Sequence, residues 1–142
     1  MKRMKRKEKA FTLVELLVVI LIISLIATVI SQRVFTGLGK AKRDIAKAKM
    51  TNIERAIGIF YLDCGRYPDE SQGLSELIEM PAELEEKWRG PYLKQSELFD
   101  PWDEPYIYVE QGVVNPGSFD LISYGADRME GGEGDNKDIY ND

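Results

Sequence analysis

The sequence predicts an α+β fold in which one long N-terminal helix packs on a small antiparallel sheet. Three observations support this. Residues 14–30 form an apolar run, apolar residues then recur at helical spacing as far as Phe60, and short extended runs follow Pro68. A long helix laid against a small sheet buries one face of each element. The chain has 142 residues, so we expect one modest core beyond a helix with a membrane-spanning half and an amphipathic half.

The first nine residues form a basic head. They hold six lysines and arginines against Glu8, a net charge of +5, and the chain total of −5 leaves −10 for residues 10–142. A basic cluster directly before an apolar run is a membrane-orientation signal. The rest of the chain would be repelled by phosphates, so we expect no nucleic-acid partner.

The apolar run is interrupted by Glu15, Ser24 and Thr28. Its seventeen residues come close to the roughly 20 needed to cross a bilayer. A carboxylate near the start of such a helix costs on the order of 2.5–3.5 kcal/mol on insertion scales. Cleavage of the peptide bond after Ala10 would give Phe11 an α-ammonium group that could pair with Glu15 of the same or an adjacent copy. The alternative is a Glu15 side chain that reaches water at the interface.

The amphipathic half of the helix is predicted from Ala46, Met50, Ile53, Ile57 and Phe60, which recur at spacings of four, three, four and three. This pattern is typical of a helix with one buried face. Gly37 and Gly39 lie between the two halves and could permit bending, and Gly65 followed by Pro68 should end the helix.

A mixed head is predicted after Pro68. Ser71 is a candidate cap for a short helix that buries Leu74, Leu77 and Ile78. The run YIYV at 106–109 and the run FDLISY at 119–124 read as strands, and NPG at 115–117 marks a turn between them.

Catalysis is not expected. The sequence contains no histidine and a single cysteine, Cys64, which removes the commonest general base and any internal disulfide. The tryptophans 88 and 102 stand near Asp100, Asp103 and Glu104 and could suggest a sugar-cleaving cleft. An aromatic core under proline-rich loops explains the same residues with fewer assumptions.

The C-terminal region is dense in oxygen donors. Its turns contain Gly131, Gly132 and Gly134, and its acidic and amide residues are Asp127, Glu130, Glu133, Asp135, Asn136 and Asp138. Hard oxygen ligands suit Ca²⁺ better than soft metals. The stretch does not match an EF-hand, and a merely solvated acidic loop is the alternative.

The N-terminal sequence KEKAFTLVELLVVILIISLIA resembles that of prepilins and pseudopilins of type II secretion. The resemblance implies that an inner-membrane prepilin peptidase cleaves between Ala10 and Phe11 and methylates Phe11, and that Glu15 takes part in assembly. Ala10 departs from the glycine usual in the family. The implied organisation is a cleaved leader at 1–10, a transmembrane and assembly helix at 11–32, and a soluble pilin-like domain at 33–142.

Motifs in the head extend the resemblance to the major pseudopilins of type II secretion systems. They are RYP at 66–68, QGL at 72–74, DPW at 100–102, YGAD at 124–127 and GGEG at 131–134. In that family calcium closes the C-terminal loop, here about residues 124–142. The implied ligands are the side chains of Asp127 and Asp138 and the backbone carbonyls of Tyr124 and Met129. A further ligand should come from residues 133–135, where Asp135 is favoured. The family's C-terminal tryptophan is absent from this chain, so its packing must come from Tyr140 or be absent.

This resemblance implies a non-enzymatic subunit that polymerises with copies of itself into a pseudopilus. The implied location is the bacterial inner membrane, with a single pass and the soluble domain in the periplasm. Implied partners are prepilin peptidase, minor pseudopilins and inner-membrane assembly proteins. The alternatives are a type IV pilus subunit for adhesion or motility, a minor pseudopilin, and a membrane-anchored calcium-binding module that never polymerises.

Overall fold

A computed structural model of the chain describes residues 11–141, without side-chain detail at residue 29 and residues 31–36. The long helix α1 runs over Leu13–Cys64 without interruption. Three strands follow, β1 at Ile107–Val109, β2 at Asp120–Ser123 and β3 at Ile139–Tyr140. Short 3₁₀ helices occupy Gly73–Leu77, Ala82–Leu84, Gln95–Leu98 and Gly134–Asn136.

The chain divides into two compact units at Gly37, in the middle of α1. The first unit contains the apolar half of α1, and the second, Leu38–Asp142, contains the amphipathic half and the head. The helix assignment continues through Gly37 and Gly39, and the bending that these glycines could permit stays a prediction. The boundary between the two units falls where the sequence of α1 changes from apolar to amphipathic.

The core of the second unit forms where the predicted apolar stripe of α1 meets the head. Ala46, Met50, Ile53, Ile57 and Phe60 are all buried, which confirms the amphipathic prediction. The same cluster contains residues of the head and the last residue of α1, namely Leu74, Leu77, Leu84, Tyr106, Phe119, Leu121, Ile139 and Cys64. Burial of such side chains is the main favourable term for a domain of this size.

The sheet is antiparallel, with strand order β1-β2-β3. β1 pairs with β2 with Tyr108 opposite Leu121, and β2 pairs with β3 with Ser123 opposite Ile139. The two predicted strands and the turn between them are therefore confirmed. β3 was not predicted, because two residues are too few to show an alternating pattern.

The helix predicted after Pro68 is a 3₁₀ helix, and Ser71 does not cap it. Gln72 is the N-cap and makes no side-chain capping bond. The Ser71 amide instead donates to Asp69 at 2.8 Å, and the Ser71 hydroxyl also contacts Asp69. These bonds lower the pKa of Asp69, the side-chain bond most.

Candidate functional site

The first candidate site is the start of α1. Ala10, on the leader side of the predicted cleavage position, lies outside the described residues, whereas Phe11 is described and 75% exposed. The Thr12 hydroxyl accepts a hydrogen bond from the Glu15 amide at 3.2 Å, which satisfies one of the free N–H groups of the first helical turn. A carboxylate in this turn is favoured by the helix dipole. Among the described residues, no cation pairs with the Glu15 carboxylate.

The apolar half of α1 exposes its side chains in the isolated chain. Fourteen large apolar residues between Phe11 and Ile30 are between 42% and 79% exposed. Its polar interruptions are satisfied within the helix, because Ser24 donates to the Ile20 carbonyl at 2.8 Å and Thr28 donates to the Ser24 carbonyl at 2.9 Å. An apolar environment would therefore bury this half of α1 favourably, and the Ser24 and Thr28 hydroxyls would need no hydrogen-bond partner from that environment.

Within the described residues, no helix is both long and apolar enough to cross a membrane. The predicted membrane-spanning half stays a prediction.

The second candidate site is the C-terminal loop. Asp138 is buried, and its Oδ2 accepts hydrogen bonds from the Gly131 amide at 2.9 Å and the Tyr140 hydroxyl at 3.4 Å. Its other oxygen, Oδ1, is buried without a hydrogen-bond partner. A buried carboxylate oxygen in this condition is costly, and a bound cation would satisfy it.

Two of the other predicted ligands, Asp127 and Asp135, each have a different neighbour in the structure. Asp127 Oδ1 accepts the amide of Met129 at 3.2 Å, closing a tight local turn. Asp135 is exposed, and its carboxylate lies so close to Gly39 of α1 that a Cβ at that glycine would overlap it. No three acidic or cysteine side chains in the described part of the chain form a group that could hold a metal. The five predicted ligands, Tyr124 included, stay a prediction.

Arg43 is a residue of this loop site that sequence reasoning missed. Its Nη1 donates to the Asp135 carbonyl at 3.4 Å and also to the Lys137 carbonyl. Gly125 has φ +71°, and a Cβ atom added to it would lie 3.4 Å from each of the same two carbonyl oxygens. The guanidinium thus fastens the acidic loop to α1 from a position about 90 residues earlier in the chain.

Asn141 joins the last described residues to the rest of the second unit. The side-chain Nδ2 of Asn141 donates to Glu54 Oε1 of α1 at 3.1 Å, and the Oδ1 of Asn141 accepts a hydrogen bond from the Leu121 backbone amide at 2.7 Å. Asn115 donates to the same oxygen at 3.2 Å. This network joins helix, sheet and terminal segment without a disulfide.

Asp100, the buried carboxylate of the suspected cleft, has structural partners. Its Oδ1 accepts the amides of Trp102 at 2.9 Å and Glu104 at 3.0 Å, and its Oδ2 accepts the Ser123 hydroxyl at 2.5 Å. Trp102 packs against the core cluster. The geometry supports the aromatic-core interpretation of these residues.

Comparison with known proteins gives consistent matches along the chain. The family model "Type II secretion system (T2SS), protein G" matches residues 33–142, and the model "Prokaryotic N-terminal methylation motif" matches residues 5–31. The type II secretion system core protein G of Pseudomonas aeruginosa is 36% identical, with 96% of each chain covered. The same-named protein of Vibrio cholerae is 35% identical over 99% of this chain and 95% of its own length.

A solved structure agrees with the sequence matches. The crystal structure of the major pseudopilin from the type 2 secretion system of enterohaemorrhagic Escherichia coli matches with a TM-score of 0.58 and 28% identity, over 72% of this chain and 87% of that one. This likeness confirms the predicted pilin-like α+β fold. The chain belongs to the type II secretion system protein G family, the major pseudopilins.

Proposed function

We propose that this chain is the structural subunit of a type II secretion pseudopilus, processed by prepilin peptidase, anchored in the bacterial inner membrane and polymerised in the periplasm. The observation that carries the proposal is the exposed apolar half of α1, joined to a head that has a complete core of its own. From family membership we infer that a lipid bilayer covers this apolar surface first and that neighbouring copies cover it afterwards.

The energetics favour burial of this surface. Full burial of one large apolar side chain is worth roughly 1.5–3 kcal/mol, and fourteen such residues are exposed. The free energy gained by burying even part of this surface therefore exceeds the roughly 4–15 kcal/mol that association costs. Lipid buries the same side chains equally well, so apolar burial favours polymerisation only as subunits leave the membrane.

Glu15 would set the axial position of each copy relative to its neighbour in the filament. Cleavage after Ala10 would create a positive α-ammonium group on Phe11, and Glu15 has no cationic partner among the described residues. An incoming copy would pair its Glu15 with the Phe11 ammonium of a neighbour, because an unpaired carboxylate in an apolar surrounding is strongly disfavoured. Minor pseudopilins and inner-membrane assembly proteins would start and drive the growth.

The processing claim is tested by coexpressing the chain with a prepilin peptidase and measuring its intact mass. We expect loss of residues 1–10 and one added methyl group. The assembly claim is tested with Glu15→Gln, which keeps the shape but not the charge, and with Glu15→Asp as the matched control. Membrane insertion should persist in both, and sheared filaments seen by electron microscopy should vanish in Glu15→Gln. Normal filaments from Glu15→Gln would reject the charge pair.

The type of filament is tested by deleting the gene from its host. A secretion subunit predicts that folded exoproteins accumulate in the periplasm while surface motility and adhesion persist. The opposite pattern would favour a type IV pilus subunit. A processed chain that never forms filaments would leave the membrane-anchored calcium module.

We further propose that calcium closes the C-terminal loop. The support is the buried, unpartnered Asp138 Oδ1, which hard cations suit. Asp127, Asp135 and the carbonyls of Tyr124 and Met129 would complete the ligand set. The ion would supply no reaction chemistry, only stability by mass action, about 2.7 kcal/mol at a hundred times its Kd.

Thermal unfolding of residues 38–142 with calcium and with chelator tests this proposal. We expect chelator to lower the melting temperature of the wild type, and Asp138→Ala to remove the difference. Asp135→Ala separates a ligand from a residue that only packs near Gly39, since only a ligand changes the calcium affinity. A wild-type curve indifferent to chelator would contradict the proposal.

A further inference from the structure

The C-terminal loop rests on a part of α1 that is shaped to receive it. Gly39 and Arg43 are four residues apart, so they lie on the same face of the helix. Gly39 has no side chain, and the Asp135 carboxylate fills the space that a Cβ would need, with its Cγ 2.6 Å from that position. One turn further along, Arg43 Nη1 donates to the backbone carbonyls of Asp135 and Lys137.

Arg43 also lies beside the other end of the loop. A Cβ atom added to Gly125 would lie 3.8 Å from Arg43 Nη1. Gly125 belongs to the stretch 124–129, and the carbonyls that Arg43 binds belong to the stretch 135–138. These two stretches carry all of the calcium ligands proposed above. The guanidinium therefore holds together the two parts of the chain that would have to meet around the ion.

The guanidinium binds carbonyls, although acidic side chains surround it in sequence. Among the described residues, the structure gives Arg43 no ion pair with a carboxylate. An arginine commonly binds a carboxylate through two parallel hydrogen bonds. Here the buried Oδ1 of Asp138 has no hydrogen-bond partner. Arg43 thus orders the loop without occupying the carboxylate oxygens that a cation would use.

We propose that Arg43 is a positioning residue of the calcium site. It holds the loop on α1 with the ligands close together, and so raises the affinity for calcium without touching the ion. The inference rests on the calcium site proposed above. A loop that is already ordered loses less conformational freedom when it binds an ion. Residues that orient metal ligands from outside the ligand set typically change metal affinity by roughly 10–100-fold.

Simple charge repulsion predicts the opposite result. A guanidinium that acted on calcium only as a nearby positive charge would weaken binding, so its removal would tighten binding. The sign of the change in affinity therefore separates positioning from repulsion.

The test measures calcium binding to the full-length chain in detergent by titration calorimetry. Arg43→Met removes the guanidinium but keeps a good helix former, and it should weaken calcium binding roughly tenfold or more. Arg55→Met is the matched control, because Arg55 is an exposed arginine of the same helix, and its calcium affinity should equal that of the wild type. Arg43→Lys keeps the charge but not the planar donor group, so it should bind roughly threefold more weakly than the wild type or worse, yet more tightly than Arg43→Met.

Hydrogen exchange in the presence of chelator gives a second readout, which needs no calcium. The Asp138 amide donates to the Gly131 carbonyl at 3.1 Å. In Arg43→Met this amide should exchange roughly tenfold faster, because the loop opens locally, while the α1 amides around Ile57 keep their rates. Unchanged α1 rates also show that the variant is folded.

Calcium binding by Arg43→Met that is as tight as in the wild type, or tighter, would overturn the inference, and so would an unchanged exchange rate of the Asp138 amide. If Arg43→Met does not fold, Arg43→Lys decides, and a wild-type calcium affinity in that variant would overturn the inference as well. A wild type that binds no calcium would instead contradict the calcium site itself, and the inference with it.

Discussion

Replacing Arg66 by methionine should destabilise the head strongly without removing any side chain of its apolar core. Arg66 donates from Nη1 to Glu76 Oε2 at 2.8 Å and from Nη2 to Oε1 at 3.2 Å. Glu76 has no exposed side-chain area, whereas Arg66 keeps 33%. The variant would leave a buried carboxylate without its cation.

Removing one member of a buried pair costs roughly 3–5 kcal/mol. We expect about 3 kcal/mol, the low end, because the part of Arg66 that is exposed shows that water can reach the pair. For a domain of this size each kcal/mol shifts the melting temperature by about 4–8 °C, so the expected loss is about 12–24 °C.

The assay is thermal unfolding of residues 38–142, followed by circular dichroism. Glu83→Gln is the matched control, since Glu83 is 57% exposed and bonds the same guanidinium at 3.1 Å; an exposed pair contributes only about 0–1 kcal/mol. The double variant Arg66→Met/Glu76→Leu should recover part of the loss. A drop below about 4 °C for Arg66→Met would refute the reasoning.

Three further predictions concern the same unit. Burial alone would raise the pKa of Asp120, but hydrogen bonds from the 113–115 segment outweigh burial and lower the pKa. The stability that this carboxylate contributes is therefore present above its unfolded pKa near 3.9 and is lost as the pH falls through the lower folded value. Acid titration of Asp120→Asn should show lower stability at pH 7 and a shallower decline of stability below about pH 4. Tyr106→Phe should cost about 1 kcal/mol in denaturant unfolding, since the hydroxyl donates to the buried Ala46 carbonyl at 3.0 Å. Gly58→Ala should raise the melting temperature through about 1 kcal/mol of helix propensity, because a Cβ at residue 58 meets nothing within 4 Å. Gly112→Ala should lower the melting temperature, because its Cβ would lie 2.7 Å from the Asn115 carbonyl oxygen. Equal shifts of the melting temperature in the two variants would contradict this.

The fold was predictable where the signal is local. The buried face of α1 follows from residues three and four apart, and β1 and β2 follow from alternation on either side of a turn. These patterns reflect which side of an element meets the core. The burial of a residue such as Met50 can therefore be predicted from the apolar residues three and four positions away in sequence.

The sites were less predictable because their contacts join distant segments. Nothing near Arg43 in sequence indicates that it holds the carbonyls of Asp135 and Lys137, and an arginine on a helix is usually solvated. The Asn141 side chain likewise forms hydrogen bonds with Glu54 and Leu121, which are remote along the chain. Composition predicted oxygen donors in the C-terminal loop, but which donors converge depends on backbone turns that composition does not encode.

The single thiol of the chain has a practical consequence. Cys64 is 4% exposed at the end of α1, and burial, the largest influence, raises its pKa, so little reactive thiolate forms at neutral pH. Maleimide or spin-label reagents should leave the native side chain unmodified. Cysteines introduced elsewhere on the surface can then be labelled one at a time without first removing the native one, which opens distance measurements within the assembled filament.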